Sequence, residues 1–151
     1  MGSSDDRDDE TPDSNRDRDA LPDTLNDAEQ DALHEFQLAI EHVYRGYGAL
    51  LEFHHEIGGA MGRMDEAESL LREAGHEEWA NELRDDHLPA GAIDDRWTYE
   101  LVDEFSQDFL EDVTAFEAAV REELADGHPH VTERAQQRRW RERADGWSTD
   151  Q

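Results

Sequence analysis

The sequence predicts an all-α protein, a long helical hairpin or helical bundle, and three observations support this fold class. Eleven mostly apolar residues follow one another at alternating spacings of four and three, the repeat of a helix that packs along one seam. A second long amphipathic segment follows, and no stretch alternates apolar and polar residues as a half-buried strand would. The seam residues are Phe36, Ile40, Val43, Tyr47, Leu50, His54, Ile57, Met61, Met64, Glu68 and Leu71.

The seam predicts one helix over residues 26–74. Only His54 and Glu68 interrupt its apolar character, and its spacing continues without a slip through Gly58 and Gly59. A turn at these two glycines would reset the spacing, so we favour a continuous helix over two shorter ones.

The two ends of this helix carry start and stop signals. Asp23 or Asn26 can serve as the N-cap, because a short polar side chain accepts hydrogen bonds from the first free N–H groups. Gly75 suits the left-handed conformation that often follows the last helical residue.

A short helix is predicted over residues 76–88, with Trp79 and Leu83 turned inward and His87 as a further candidate inward position. Pro89, Ala90 and Gly91 then break the chain, because proline and glycine disfavour helix continuation.

The next predicted helix is capped by Asp94 or Asp95 and ends at Asp126 and Gly127. A last, less apolar helix is predicted over residues 131–144. The predicted inward positions of the capped helix are Trp97 or Thr98, Leu101, Val102, Phe105, Phe109, Val113, Phe116, Val120 and Leu124.

Composition divides the chain into three segments. Residues 1–24 are rich in acids and poor in apolar residues, which predicts a disordered acidic tail. Residues 25–126 hold nearly all of the Leu, Ile, Val and Phe and are predicted to form a helical bundle domain. Residues 127–151 are predicted to form a short Arg-rich helix and a tail.

The predicted hairpin is too thin to cover its own apolar surface. Each apolar stripe of a helix needs more than one neighbouring helix, and a single hairpin supplies only one. We therefore expect a homo-oligomer, in which a second copy completes a four-helix-like bundle.

The charge of the chain indicates adaptation to high salt. Its 41 acidic residues face 14 basic ones, all of them arginine, for a formal net charge of −27. Such a charge destabilises a small compact domain in ordinary salt, whereas in molar salt the Debye length falls to about 3 Å. The Asp-rich, Lys-free composition resembles that of proteins from salt-accumulating halophiles, above all haloarchaea. It accounts for the acidic surface without a cationic partner.

Several classes of protein do not fit the sequence. The chain has no cysteine, which excludes disulfides and thiolate sites. Its N-terminus lacks the apolar run of a signal peptide, and no segment has the ~20 apolar residues of a membrane span. We expect a cytoplasmic protein without a membrane partner.

A pair of histidines raises the hypothesis of a metal site. Glu52, His54 and His55 lie within one helical turn, and Glu-x-x-His is the spacing that ferritin-like di-iron bundles use on two helices. His87, in the acidic connector, could join them if the fold brings the helix ends together. The alternative for His54 is a histidine that hydrogen-bonds across the seam and fixes its register.

Five glycines in the long helix need an explanation, because each costs about 1 kcal/mol relative to alanine. Gly48, His55 and Gly62 are one heptad apart. Close approach of another helix is the hypothesis we favour. A metal or haem centred on His55 is the alternative, in the style of a ferritin or a hemerythrin.

The C-terminal segment departs from the acidic composition. Arg134, Arg138 and Arg141 share one face of the predicted last helix, and such a basic face can bind nucleic-acid phosphates. Counterion release contributes little to binding in molar salt, so we favour docking on acidic helices, of the same chain or of a second subunit.

No catalytic motif, phosphate-binding glycine loop or zinc-type ligand set occurs in the sequence. The sequence therefore predicts a binding or scaffolding module without a cofactor, not an enzyme. The alternatives are a metal- or haem-binding bundle and a nucleic-acid-associated regulator.

Overall fold

The computed structural model describes residues 21–22 and 24–147, and its regular structure is helical, which confirms the predicted all-α class. The helices are α1 (Asp27–Glu73), α2 (Glu77–Glu82), α3 (Thr98–Gln107), α4 (Phe109–Ala125) and α5 (Val131–Arg143), and one π-helical turn (Leu83–His87) continues α2. The predicted acidic tail, residues 1–24, lies outside the described residues apart from Leu21, Pro22 and Thr24.

Helix α1 confirms the prediction of a single helix through Gly58 and Gly59. Asn26 caps it: the Glu29 N–H donates to the Asn26 side-chain oxygen over 2.8 Å, and the Asn26 N–H donates back to the Glu29 carboxylate over 3.4 Å. The other predicted cap, Asp23, is not among the described residues. Gly75 ends the helix in the left-handed conformation, with φ +87°.

The short helix after Gly75 differs from the prediction in the face that it buries. Helix α2 buries Ala80 completely, whereas the Trp79 side chain is 65 % exposed. Successive helical residues point about 100° apart, so a helix that turns Ala80 inward turns Trp79 toward solvent. The predicted inward position of Trp79 was therefore wrong.

The start of α3 also differs from the prediction. Asp94 and Asp95 have left-handed φ values of +48° and +59°, so neither caps the helix. They form a tight turn that leaves no room for a Cβ at Gly91 beside the Asp95 backbone. The N-cap is Trp97, whose N–H donates to the Glu100 carboxylate over 3.3 Å.

Asp108 interrupts the single helix that the sequence predicts between the connector and Gly127. Its φ and ψ are −115° and −92°. The hydrogen bonds on either side persist, from the Asp108 N–H to Glu104 O and from the Asp112 N–H to Asp108 O. Aspartate side chains compete with the helical backbone for hydrogen bonds, which fits a distortion confined to this position. Helix α4 then ends before Asp126 and Gly127 as predicted, with both residues left-handed.

The described residues fall into two compact units. Unit 1 combines the described residues up to Glu35 with those from Ala118 onward, and unit 2 is Phe36–Glu117. The core of unit 1 consists of Leu33, Ala125 and Val131, all buried. Four partly buried residues pack against that core: Leu21, Leu25, Val120 and Leu124.

Unit 2 is an antiparallel helical hairpin with a constant register. The Phe36 ring lies 5.7 Å from the Phe116 ring, and the Tyr47 ring lies 5.9 Å from the Phe105 ring. His54 contacts Thr98. Along α1 the contact residues are eleven and then seven positions apart. Along the returning helices they have the same spacings in the opposite chain direction.

The seam of unit 2 is covered on one side only. All eleven predicted seam residues are half-buried. The fully buried residues of the whole unit are few, namely Ala80, Thr98, Val102 and Glu117, and two of these are polar. Unit 2 therefore has an apolar seam but almost no closed core.

Replacement of Leu33 by alanine tests where the closed core lies. Leu33 is 4 % exposed, so Leu33→Ala should lower the free energy of unfolding by about 2–3 kcal/mol, through lost burial and the cavity left behind. Leu38→Ala, on the same helix at 37 % exposure, should cost less than about 1 kcal/mol. Thermal unfolding followed by circular dichroism measures both, and equal losses would contradict this assignment.

Candidate functional site

His54 bridges the two sides of the hairpin. Its Nδ1 lies 2.6 Å from the Thr98 hydroxyl oxygen, and Thr98 is only 6 % exposed. Thr98 can donate or accept, so the pair is satisfied in either neutral tautomer of the imidazole. The contact is the seam hydrogen bond that the structural hypothesis for His54 requires.

Glu68, the other polar seam residue, is also paired within unit 2. The Arg72 guanidinium donates to the Glu68 carboxylate over 2.5 Å and to the Asn81 side-chain oxygen over 3.1 Å. This cluster ties the end of α1 to α2. His54 thus joins the two sides of the hairpin directly, whereas Glu68 is paired with Arg72 on its own helix, and Arg72 in turn reaches α2.

The four residues of the predicted metal site do not form a ligand set. His55 and Glu52 are exposed on α1, and the His55 ring lies 5.3 Å from the His54 ring. His87 is exposed on the π-helical turn, with Nε2 3.7 Å from a Glu82 carboxylate oxygen. Among residues 21–22 and 24–147, no three histidine or carboxylate side chains are grouped so that they could hold a metal ion.

The glycines of α1 have no packing partner within the described chain. A Cβ built on any of them meets no atom within 4 Å outside the local backbone. The close helix approach that the sequence suggests is therefore not made inside one chain. The five positions are Gly46, Gly48, Gly58, Gly59 and Gly62.

Unit 2 exposes many large apolar side chains. Phe109 and Phe116 are more than half exposed, although their spacing predicts inward positions, and this prediction was wrong for the single chain. The reason is the shortage of neighbouring helices, since a hairpin cannot surround its own apolar stripe. The other exposed apolar residues of the unit are Leu38, Tyr44, Phe53, Leu70, Trp79, Ile93, Trp97 and Tyr99.

An open apolar notch lies where α2 and the π-helical turn meet the end of α1. It has a volume of about 360 Å³ and is lined by Leu71, Trp79, Glu82, Leu83 and His87. Acidic residues surround it along the chain. Arg84, the arginine of this segment, is already paired with one of these acids. Its guanidinium donates a hydrogen bond to the Asp85 carboxylate over 2.8 Å, and this bond lowers the pKa of that carboxyl group.

The three arginines predicted to contact nucleic acid all have partners within unit 1. Arg134 donates to the Pro129 carbonyl over 2.7 Å, and Arg138 donates to the Glu142 carboxylate over 3.0 Å. The Arg141 guanidinium lies 5.2 Å from the centre of the Trp147 ring, a cation–π contact.

Helix α5 nevertheless presents further basic and aromatic surface. Arg139, Arg143 and Trp140 are exposed. Sequence reasoning on a single helix face did not single out Arg139 and Arg143. The composition of the segment shows that it is rich in arginine. It does not show which arginines lack a hydrogen-bond partner within α5.

No known protein family, curated protein or solved structure matches this chain. No described helix has an apolar stretch long enough to cross a bilayer. The surfaces described above are therefore the basis for a functional proposal.

Replacement of Thr98 tests the bridge to His54. Thr98→Val keeps the size of the side chain but leaves the half-buried imidazole without a partner, which should cost about 1–3 kcal/mol of unfolding free energy. Thr98→Ser keeps the hydroxyl and removes only a methyl group, so it should cost about 1 kcal/mol or less. Thermal unfolding ranks the two variants, and a serine variant no more stable than the valine variant would show that the hydrogen bond contributes nothing.

Proposed function

We propose that the protein is a self-associating helical module that acts by binding or scaffolding in the cytoplasm of a salt-rich cell, and not by catalysis. The observation that carries the proposal is the seam of unit 2, whose eleven residues are only half-buried in one chain. A stable domain of this size normally closes its core, and unit 2 buries only two apolar residues, Ala80 and Val102.

The exposed side chains give association a driving force. Burial of a large apolar side chain stabilises by about 1.5–3 kcal/mol. Phe109 and Phe116, one heptad apart and each more than half exposed, leave part of that free energy unused in the single chain. Large aromatic side chains exposed on one helix face are the kind of surface that protein–protein interfaces use.

The charge makes this association dependent on salt. Two chains of net charge −27 repel each other, and at 0.15 M salt the Debye length of about 8 Å leaves much of that repulsion in place. At 1 M salt it is about 3 Å, so contacts along uncharged surface can prevail. This supports the assignment to a salt-rich cytoplasm.

The two alternative functions have weaker support from the geometry. A metal or haem centred on His55 would need ligands beyond the exposed Glu52 and the separately paired His54. A nucleic-acid regulator would rely on Arg139 and Arg143, because the other arginines of α5 have protein partners.

Light scattering over a range of salt concentrations tests self-association. In 3 M KCl the protein should have at least twice the chain mass of 17.4 kDa, and in 0.15 M KCl the assembly should dissociate or unfold. Circular dichroism on the same samples separates dissociation from unfolding. A helical, concentration-independent monomer in 3 M KCl would refute the proposal.

The same samples distinguish the alternatives. We expect no stoichiometric metal by elemental analysis and no absorbance band of a haem. A bound metal or chromophore lost in His55→Ala would support the metal-binding function instead.

A further inference from the structure

Helix α5 reverses the charge of the chain over a short segment. It carries five arginines against two glutamates, whereas the rest of the chain carries nine arginines against 39 acidic residues. Every residue from Gln137 to Trp147 is exposed, so this positive charge lies at the surface. A local concentration of guanidinium groups on an otherwise acidic molecule attracts anionic groups at short range.

The side of α5 that faces away from the core of unit 1 carries an indole beside two guanidinium groups. Val131 is 2 % exposed and holds the start of the helix in that core. Trp140 follows nine residues later, about two and a half turns on, so it projects from the opposite side and is 55 % exposed. Arg143, three residues after Trp140, and Arg139, four residues before Arg143, lie on the same side of the helix. We call Arg139, Trp140 and Arg143 the outer face.

The two arginines of the outer face are available to a ligand. Within the described part of the chain, neither Arg139 nor Arg143 pairs with an acidic side chain, unlike Arg138, which donates to Glu142. The docking on acidic helices of the same chain that the sequence favours is therefore not made by these two residues. A guanidinium presents its N–H groups in a planar fork that matches the oxygens of a phosphate.

A second exposed indole follows α5 in the chain. Trp147 is 59 % exposed, and the Arg141 guanidinium lies 5.2 Å from the centre of its ring. This cation–π contact orients the ring and leaves much of it open to solvent. The end of α5 and the residues after it thus present two aromatic planes among cations. Proteins that bind single strands use such planes to stack nucleic-acid bases.

We propose that the outer face of α5 binds single-stranded nucleic acid, with a base stacked on Trp140 and phosphates on Arg139 and Arg143. The inference goes beyond the proposed self-association and does not depend on it, because the outer face belongs to unit 1 and the seam to unit 2. The carboxylates of an acidic protein segment would satisfy the arginines but offer the exposed ring no aromatic plane. In a duplex the bases stack on one another, so a single strand presents them far better to an indole.

Stacking accounts for the persistence of this contact in molar salt. Counterion release contributes little there, so phosphate contacts alone give weak binding. Each base stacked on an aromatic side chain improves the affinity by a factor of about 5–150, and it does so without displacing ions. The acidic remainder of the chain repels a nucleic acid in dilute salt. In 1 M salt, with a Debye length of about 3 Å, that repulsion is confined to groups in contact.

Fluorescence anisotropy of a labelled strand of about 12 thymidines, with the full chain in 1 M KCl, tests the proposal. The parent should bind, and Trp140→Ala should raise the dissociation constant at least about fivefold, the effect of one lost stacking contact. Trp140→Phe keeps an aromatic ring and should recover most of the affinity. The double variant Arg139→Gln and Arg143→Gln should raise the dissociation constant about threefold. All three variants change exposed side chains, so circular dichroism should show the helix content of the parent.

The matched control is Trp79→Ala, which removes an indole that is 65 % exposed in unit 2. It should leave the dissociation constant for the strand unchanged. A parent that does not bind the strand would overturn the proposal. Equal losses of affinity in Trp140→Ala and Trp79→Ala would overturn it too, because the binding would then not belong to α5.

Unlabelled competitors identify the chemistry that is bound. Single strands of DNA and of RNA should both displace the labelled strand, and stronger competition by RNA would identify RNA as the ligand through its 2′-hydroxyl groups. Inorganic polyphosphate and a duplex of the same length should each compete at least about fivefold less well. Equal competition by polyphosphate would show that charge alone is recognised, and equal competition by the duplex would place α5 in a groove. Either result would overturn the proposal.

Discussion

The fixed register between α1 and the helices that return along it is the constraint on which unit 2 depends. The contacts that define it are spaced eleven and then seven residues apart, both along α1 and, in the opposite chain direction, along the returning helices. Eleven and seven residues are close to three and two helical turns, so each step returns to the same face of its helix. His54 and Thr98 add a directional bond to otherwise non-directional packing. Even the distortion at Asp108 leaves the register intact, because Phe116 beyond it still meets Phe36.

The number of segments around each apolar surface accounts for the difference between the two units. In unit 1, segments from both ends of the chain enclose Leu33, and Ala125 and Val131 are buried with it. In unit 2, one layer of helix faces another, and the apolar side chains that point sideways from the contact have nothing to cover them. The hairpin therefore satisfies its register and its polar groups but leaves apolar surface uncovered.

The sequence predicts those features of the structure that depend on local periodicity and local signals. These features are the span of α1, its continuation through the glycine pair, Asn26 as one of two candidate caps, the stops at Gly75 and Gly127, and the membership of the seam. The sequence also predicts that His54 needs a hydrogen-bond partner but cannot identify Thr98, because that contact depends on how the returning helix is staggered against α1.

The outward positions of Trp79, Phe109 and Phe116 are not predictable either, since periodicity shows that a face is apolar and not whether a neighbour covers it. The turn at Asp94 and Asp95 escapes prediction because aspartate serves equally well as an N-cap and as a left-handed turn residue.

High salt changes which physical forces can make an association specific. In dilute salt, patterns of charge select a partner and reject others over distances of several ångströms. When the Debye length is about 3 Å, that selection is confined to atoms in contact, and the repulsion that keeps acidic surfaces apart fades as well. Specificity must then come from shape, through side chains that fit only one register. The large apolar side chains that unit 2 leaves exposed have shapes of this kind, whereas the acidic residues around them carry charge that salt screens.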